Sequence, residues 1–407
     1  MKFTHYLLTK MPLLAVLFPI VAYCNDEVMN NFQYSSESVR HNEVVQGNIV
    51  DLSTLTANYE AQDNDILTGK LSTKLYISIA PDATVTLRNA TISDNDRENF
   101  MFQHDFLPSI KCLGNATIII EDGTNNLVCS SGKHNAGIQI GKAGTKLIIK
   151  GGPDGTGKLE VIGSGAGIGA GPDEGDYDEY GDIEINGGII TVKADERFAG
   201  IGAGHTANCG NIIINGGNIS VTGGLFGAAI GTGSSSNCKD ITINGGTISA
   251  VAFQQGSGIG GTCQNDEDSV GYCGNITING GIITATGALE GSGIGTKCKD
   301  IYINNCTLTA KGGQCSAGIG SNDACGNITI AGGIIEVNGG SYAAAIGSGC
   351  YGVCGDITIS NDVTEIKVIK GVGHGECIGK GEHGECGKVM VVGQEGNIIG
   401  TNYNYKK

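Results

Sequence analysis

Apolar and polar residues alternate with period two over short runs along this chain, and the runs repeat one another. Residues 273–298 read CGNITINGGIITATGALEGSGIGTKC. Ile276, Ile278, Ile283 and Ala285 fall on one side of an extended backbone, and Thr277, Thr284 and Thr286 fall on the other. The phrase returns at Cys209 (CGNIIINGGNISVTGG), Cys238 (CKDITINGGTISA), Cys298 (CKDIYINNCTLTAKGG), Cys325 (CGNITIAGGIIEVNGG) and Cys354 (CGDITIS). Its first cysteines, at 209, 238, 273, 298, 325, 354 and 386, are 29, 35, 25, 27, 29 and 32 residues apart. The strands are fixed, and the variation sits in the loops.

Two such strands joined by Asn-Gly-Gly and followed by a Gly-rich piece cannot bury an apolar face alone. Stacking copies solves this by pairing each strand with its equivalents above and below. The expected fold is therefore all-β: a β-solenoid, a parallel β-helix of about three short strands per coil. Some eleven or twelve coils rising about 4.8 Å each would make a rod of about 55 Å. The repeat also predicts two ladders. Asn186, Asn215, Asn244, Asn279 and Asn304 stack at the first corner, and Ile168, Ile201, Ile230, Ile259, Ile294, Ile319, Ile346 and Ile378 stack inside. Phe198, Phe226, Phe253 and Tyr342 precede those isoleucines and read as a stack covering the third corner.

The flanks read differently. Residues 1–24 (MKFTHYLLTKMPLLAVLFPIVAYC) have the basic start and apolar run of a secretory signal. Residues 25–45 are polar and patternless, a tether; 46–71 read as an N-terminal cap, 72–393 as coils and 394–407 as a C-terminal cap. Val21-Ala22-Tyr23-Cys24 followed by Asn25-Asp26-Glu27 resembles a bacterial lipoprotein signal, with Tyr23 departing from the small residue normal there, so Cys24 is a candidate lipid anchor. No later stretch approaches the roughly 20 apolar residues of a membrane helix.

The phrases VDLSTL at 50–55 and ISIAPDATVTL at 77–87, with the repeated GNITINGG and AGIG, carry a resemblance over nearly the whole chain after residue 24. The chain resembles the secreted right-handed parallel β-helix proteins of gut and cellulolytic bacteria, pectate-lyase-like in build and including a carbohydrate-binding group. The resemblance implies a right-handed coil, a secreted or cell-surface setting, binding of cellulose or pectin-like glycan, and calcium in acidic pockets.

Charge and cysteine usage narrow the partners. With 25 basic and 41 acidic residues the formal charge is −16, which argues against nucleic acid and anionic membrane. A polysaccharide or cell-surface glycan fits, as does a host or self surface protein. Fifteen cysteines less Cys24 leave fourteen in a chain that reads as secreted, a setting where disulfides persist. Cys209, Cys238, Cys273, Cys298, Cys325, Cys354 and Cys386 hold one position in successive coils, with Cys263, Cys306, Cys315, Cys350 and Cys377 nearby. Bridges between adjacent coils, or the local pairs Cys263 to Cys273 and Cys350 to Cys354, are expected. His374-Gly-Glu-Cys377 and His383-Gly-Glu-Cys386 share a spacing found among zinc ligands, and in an oxidising compartment the disulfide reading is preferred.

The acidic loop PDEGDYDEYG offers Asp173, Asp176, Asp178 and Glu179 as calcium ligands, since calcium takes six to eight oxygens. A second acidic loop, with Asp266, Glu267 and Asp268, interrupts an equivalent corner three coils on. Aromatic residues are few and tryptophan is absent, but Tyr177, Tyr180, Tyr272 and Tyr351 gather at the variable corner beside the first strand, with Tyr302 on that strand. A glycan would bind there. A lyase needs acidic metal ligands beside an Arg or Lys base, and of the arginines Arg40, Arg88, Arg97 and Arg197 only Arg197, next to Asp195 and Glu196, lies in the regular coils. The reading is thus a secreted or surface-exposed non-catalytic binding protein for glycan or adhesion. The alternatives are a polysaccharide-cleaving enzyme on the same fold and a disulfide-stapled structural rod.

Overall fold

Period-two patterning gives each coil two strands with alternate residues inside, and a third, shorter strand of only two or three residues. The computed structural model describes residues 47–72, 75–93, 107–131, 134–171, 178–263 and 271–407. The expected signal, tether and Cys24 anchor lie outside the described residues, as do Asp173, Asp176, Tyr177, Asp266, Glu267 and Asp268. Among the described residues there is no helix long and apolar enough to cross a membrane.

The coils stack as a parallel β-helix, with the right-handed sense usual for parallel strand-crossover-strand connections. The first face is built from strands such as Ile241–Ile243, Ile276–Ile278 and Ile301–Ile303, and the second from Thr247–Val251, Ile282–Thr286 and Thr307–Lys311. Three long strands, Ala83–Ser93, Asp182–Lys193 and Ile212–Thr222, run through the corner and join both faces into one sheet. The third face is a separate twelve-stranded sheet of pieces such as Ile259–Gly260 and Ile294–Gly295. Twelve rungs at about 4.8 Å span about 53 Å.

Register is strict because a slip of one residue would turn every isoleucine outward. On the third face Ile168, Ile201, Ile230, Ile259, Ile294, Ile319, Ile346 and Ile378 pair in sequence, all fully buried, as the repeat predicts. Each is worth about 1.5–3 kcal/mol of burial. The glycine after each isoleucine has its own reason: at Gly260 the backbone φ is +136°, and an added Cβ would fall 2.9 Å from the carbonyl carbon of Gly295 and closer still to its oxygen. Only a residue without a Cβ lets these rungs stack.

Two polar ladders lock the corners. At the first, the amide Nδ2 of Asn215, Asn244, Asn279 and Asn304 each donates to the Oδ1 of the asparagine one rung below, at 2.6–2.7 Å. Asn186 closes the lower end by donating to Glu184. The other ladder follows the cysteine position: the Oδ1 atoms of Asp182, Asn211, Asp240, Asn275, Asp300, Asn327 and Asp356 each accept the backbone N–H of the equivalent residue in the next coil.

The ends join the same lattice. Ile49–Asp51 pairs with Ile66–Lys70, which pairs with Ala83–Ser93, so residues expected only to cap already form rungs. At the other end Asn402–Lys406 runs antiparallel along Val363–Ile369 and stops the parallel stack. Of the aromatic set expected to cover the third corner, Phe198 is buried in a three-ring cluster with His134 and His205. Phe253 and Tyr342 are exposed instead.

Candidate functional site

The segment between the third and first faces carries both the cysteines and most of the candidate aromatic residues. Cys209 pairs with Cys238, Cys273 with Cys298, Cys298 with Cys325, and Cys354 with Cys386 in parallel bridges. The intervening steps are held by Asn237 with Tyr272 and by Ala324 with Val353. Seven sulfurs therefore stand in one column, and all seven are free thiols. Contact with Cys209, then with Cys273, and burial hold the Cys238 thiol well above the usual range; contact with Cys273 and burial do the same for Cys298, and the contacts from Cys238 and Cys298 draw Cys273 down against its burial.

The two local disulfide pairs expected from the sequence are not the neighbours found. Cys273 lies between Cys238 and Cys298, and Cys350 meets Cys315 rather than Cys354, with the Cys350 N–H donating to the Cys315 carbonyl at 2.9 Å. Cys354 faces Cys325 and Cys386. Cys377 is buried and its Sγ lies 3.5 Å from the Val368 carbonyl, while Cys263 is half-buried. The zinc-like spacing is split: Cys386 ends the column, and His383 turns outward to stack on Tyr351.

Three of the five candidate tyrosines present their rings to solvent. Tyr272, 53% exposed, lies beside Cys273 with the Lys297 ammonium 5.1 Å from its ring centre. Lys297 is itself buried along its stem and paired with Asp323 at 3.0 Å. Tyr302 stands on the outer side of the first face, one rung further, and its hydroxyl donates to Asp300 Oδ2 at 2.9 Å. That bond raises the tyrosine's pKa. Tyr351, 74% exposed, stacks on His383 with ring centres 5.2 Å apart and planes 19° from parallel. From the Cys273 rung to the Cys354 rung is three steps, or about 14 Å along the rod. The corner thus offers spaced aromatic surfaces, each with a polar group alongside.

Tyr180 is a correction. Its ring is 2% exposed, its hydroxyl lies 3.3 Å from Gln139 Nε2, and the Lys142 ammonium sits 4.2 Å from its ring centre. The register explains it: Glu179 bridges Asn208, so Tyr180 holds the position one rung below Cys209 and points inward as the cysteines do. Aligning YGDIEI with CGNIII would have shown this. Sequence reasoning also missed Lys297 and Asp300, although the alternation of Cys-Gly-Asn with Cys-Lys-Asp marks the rungs that carry the carboxylates, and it weighed His383 only for its zinc-like spacing.

Of the expected calcium ligands, the two that are described already have partners. Asp178 is paired with Lys142 at 2.6 Å and Glu179 Oε1 accepts from Asn208 at 2.9 Å. Among the described residues no group of three or more His, Cys, Asp or Glu converges to hold a metal ion. The basic residue weighed for lyase chemistry is also engaged, since the Arg197 guanidinium lies over the Phe226 ring at 5.9 Å. Asp195 caps the Glu196 N–H at 2.8 Å, and Glu196 lies 3.7 Å from His134.

The family described as Beta helix repeat matches residues 241–263, 276–296 and 301–323, the coils in which the phrase is most regular. No curated protein and no solved structure matches the chain. Fold, register and family match together define a parallel β-helix repeat protein.

Proposed function

We propose that the protein is a secreted or surface-exposed, non-catalytic binding protein whose ligand is an extended glycan laid along the corner of Tyr272, Tyr302 and Tyr351. The observation that carries this reading is the exposure of three tyrosine rings on rungs of a rigid ladder, each beside a hydrogen-bonding or charged partner. Aromatic faces bind the apolar faces of sugar rings, and Asp300, Lys297 and His383 supply polar groups at their edges. The net charge of −16 favours a neutral or cation-bridged glycan over a polyanion. Secretion rests on residues 1–24, and calcium remains a proposal for the acidic loop ending at Glu179.

The test is retention of the purified chain on a panel of insoluble polysaccharides, with calcium and with chelator, while the supernatant is assayed for released sugar. Retention without release supports the binder; release would point to the enzyme, and no retention on any glycan would refute the reading. Tyr272→Ala and Tyr351→Ala should each weaken retention about two- to tenfold, the equivalent of a stacking contribution of about 0.5–1.5 kcal/mol. Tyr180→Phe, at a buried ring, should leave it unchanged.

A further inference from the structure

Seven sulfurs in one line can do what a single cysteine cannot. We propose that the column from Cys209 to Cys386 is an oxidation site of odd length: a small disulfide of the glutathione class links consecutive rungs, up to three pairs at once, and the thiol left over migrates along the rod by exchange. This goes beyond the glycan reading and does not depend on it.

The geometry restricts partners severely. Adjacent rungs stand about 4.8 Å apart, inside the 4.4–6.8 Å that a disulfide spans between Cα atoms, whereas rungs two apart stand at about 9.6 Å and are out of reach. Each interior cysteine therefore has two possible partners and each end cysteine has one. Seven thiols make three pairs and leave one. The column has one closed end, since Tyr180 fills the position below Cys209, and two half-buried members, Cys298 within it and Cys386 at the other end.

Oxidation begins where the reagent reaches, at Cys298 within the column or at Cys386 at its end, and the steps are the same at either. The Cys386 thiolate attacks the small disulfide and forms a mixed disulfide, and the expelled small thiolate takes up a proton. Cys354, as its thiolate, then attacks the Cys386 sulfur, forms the protein disulfide and expels the second small thiolate, so two cysteines are oxidised and one small disulfide is reduced to two thiols. Migration consumes no oxidant. With Cys325 and Cys354 joined, the Cys386 thiolate attacks Cys354; the new bond forms as the old one breaks, and Cys325 leaves as a thiolate, is protonated, and faces Cys298. Displacement at sulfur proceeds in line, and the column sets attacking, central and leaving sulfurs in that order along one axis.

The test oxidises the full chain in its native state with glutathione disulfide, blocks the remaining thiols and maps linkages by peptide mass spectrometry. Only consecutive column pairs are expected. Cys209→Ser should fix the frame at 238–273, 298–325 and 354–386, and Cys386→Ser at 209–238, 273–298 and 325–354. Cys298→Ser leaves three thiols on each side of the gap, so the number of column disulfides should drop from three to two. Cys315 and Cys350, in contact away from the column, report that the oxidant was effective. Linkages that skip a rung, linkages from the column to Cys263, Cys306 or Cys377, or a column left reduced while Cys315 and Cys350 oxidise would overturn the proposal. The wild-type map decides this even if a variant fails to fold.

Discussion

Replacing Gly260 by alanine isolates what holds the third face together. Gly260 has φ +136° and Gly396 has φ +129°, so both backbones resist an L side chain alike, at about 1–3 kcal/mol. Their surroundings differ completely. A Cβ on Gly396 meets nothing within 4 Å, whereas on Gly260 it runs into the carbonyl of Gly295. That carbonyl cannot step aside freely, because its oxygen accepts the Gly261 N–H at 3.0 Å and the Ser257 hydroxyl at 3.1 Å. Overpacking adds about 1–3 kcal/mol, and loss of a hydrogen bond adds about 0.5–1.5 kcal/mol. Gly260→Ala should therefore cost about 2–4 kcal/mol more than Gly396→Ala. Urea unfolding followed by far-ultraviolet circular dichroism measures both, and the gain from stiffening the unfolded chain is shared and cancels. Equal midpoints for the two variants would refute the claim that rung-to-rung contact, rather than backbone conformation, demands glycine here.

The remaining predictions use the polar ladders. Asn244→Ala removes two side-chain hydrogen bonds and Asn304→Ala removes one, so at about 0.5 kcal/mol for each exposed bond the first should lower stability about twice as much as the second in the same urea assay. Glu184 is held below its usual 4.5, first by the hydrogen bond from Lys146 and then by that from Asn186. A depressed carboxylate contributes stability that is fully present above its unfolded pKa and is lost as pH falls through the folded one. Glu184→Gln should accordingly flatten the loss of thermal stability below about pH 4.5, while an unchanged slope would remove Glu184 from the acid response.

Much of the fold could be read from the chain because each rung repeats the same decision. Ile259 and Ile294 are fixed by period-two patterning alone, and the Asn244 ladder by recurrence at one offset. The site was harder to read, since ring exposure depends on which way a corner residue turns. Tyr180 and Tyr272 both sit at the variable corner. One holds the inward cysteine position and the other stands just before it, so a shift of a single residue exchanges burial for solvent. Spacing likewise predicted column neighbours but could not bring Cys350 to Cys315, because that meeting is made by loops of unequal length whose paths the repeat does not constrain.

The alternation of Asp and Asn along the cysteine corner sets the unit in which this rod could grow. Asp182, Asp240 and Asp300 are separated by Asn211 and Asn275, which make the same backbone hydrogen bond without charge. Like charges thus stand about 9.6 Å apart rather than about 4.8 Å, which halves their repulsion before counter-ions, with a screening length of about 8 Å, reduce it further. Removing the single coil that carries Asn275 would set Asp240 directly against Asp300. Gene duplication or engineering that respects this corner therefore inserts or deletes coils in pairs, and the heritable module of the rod is the doublet.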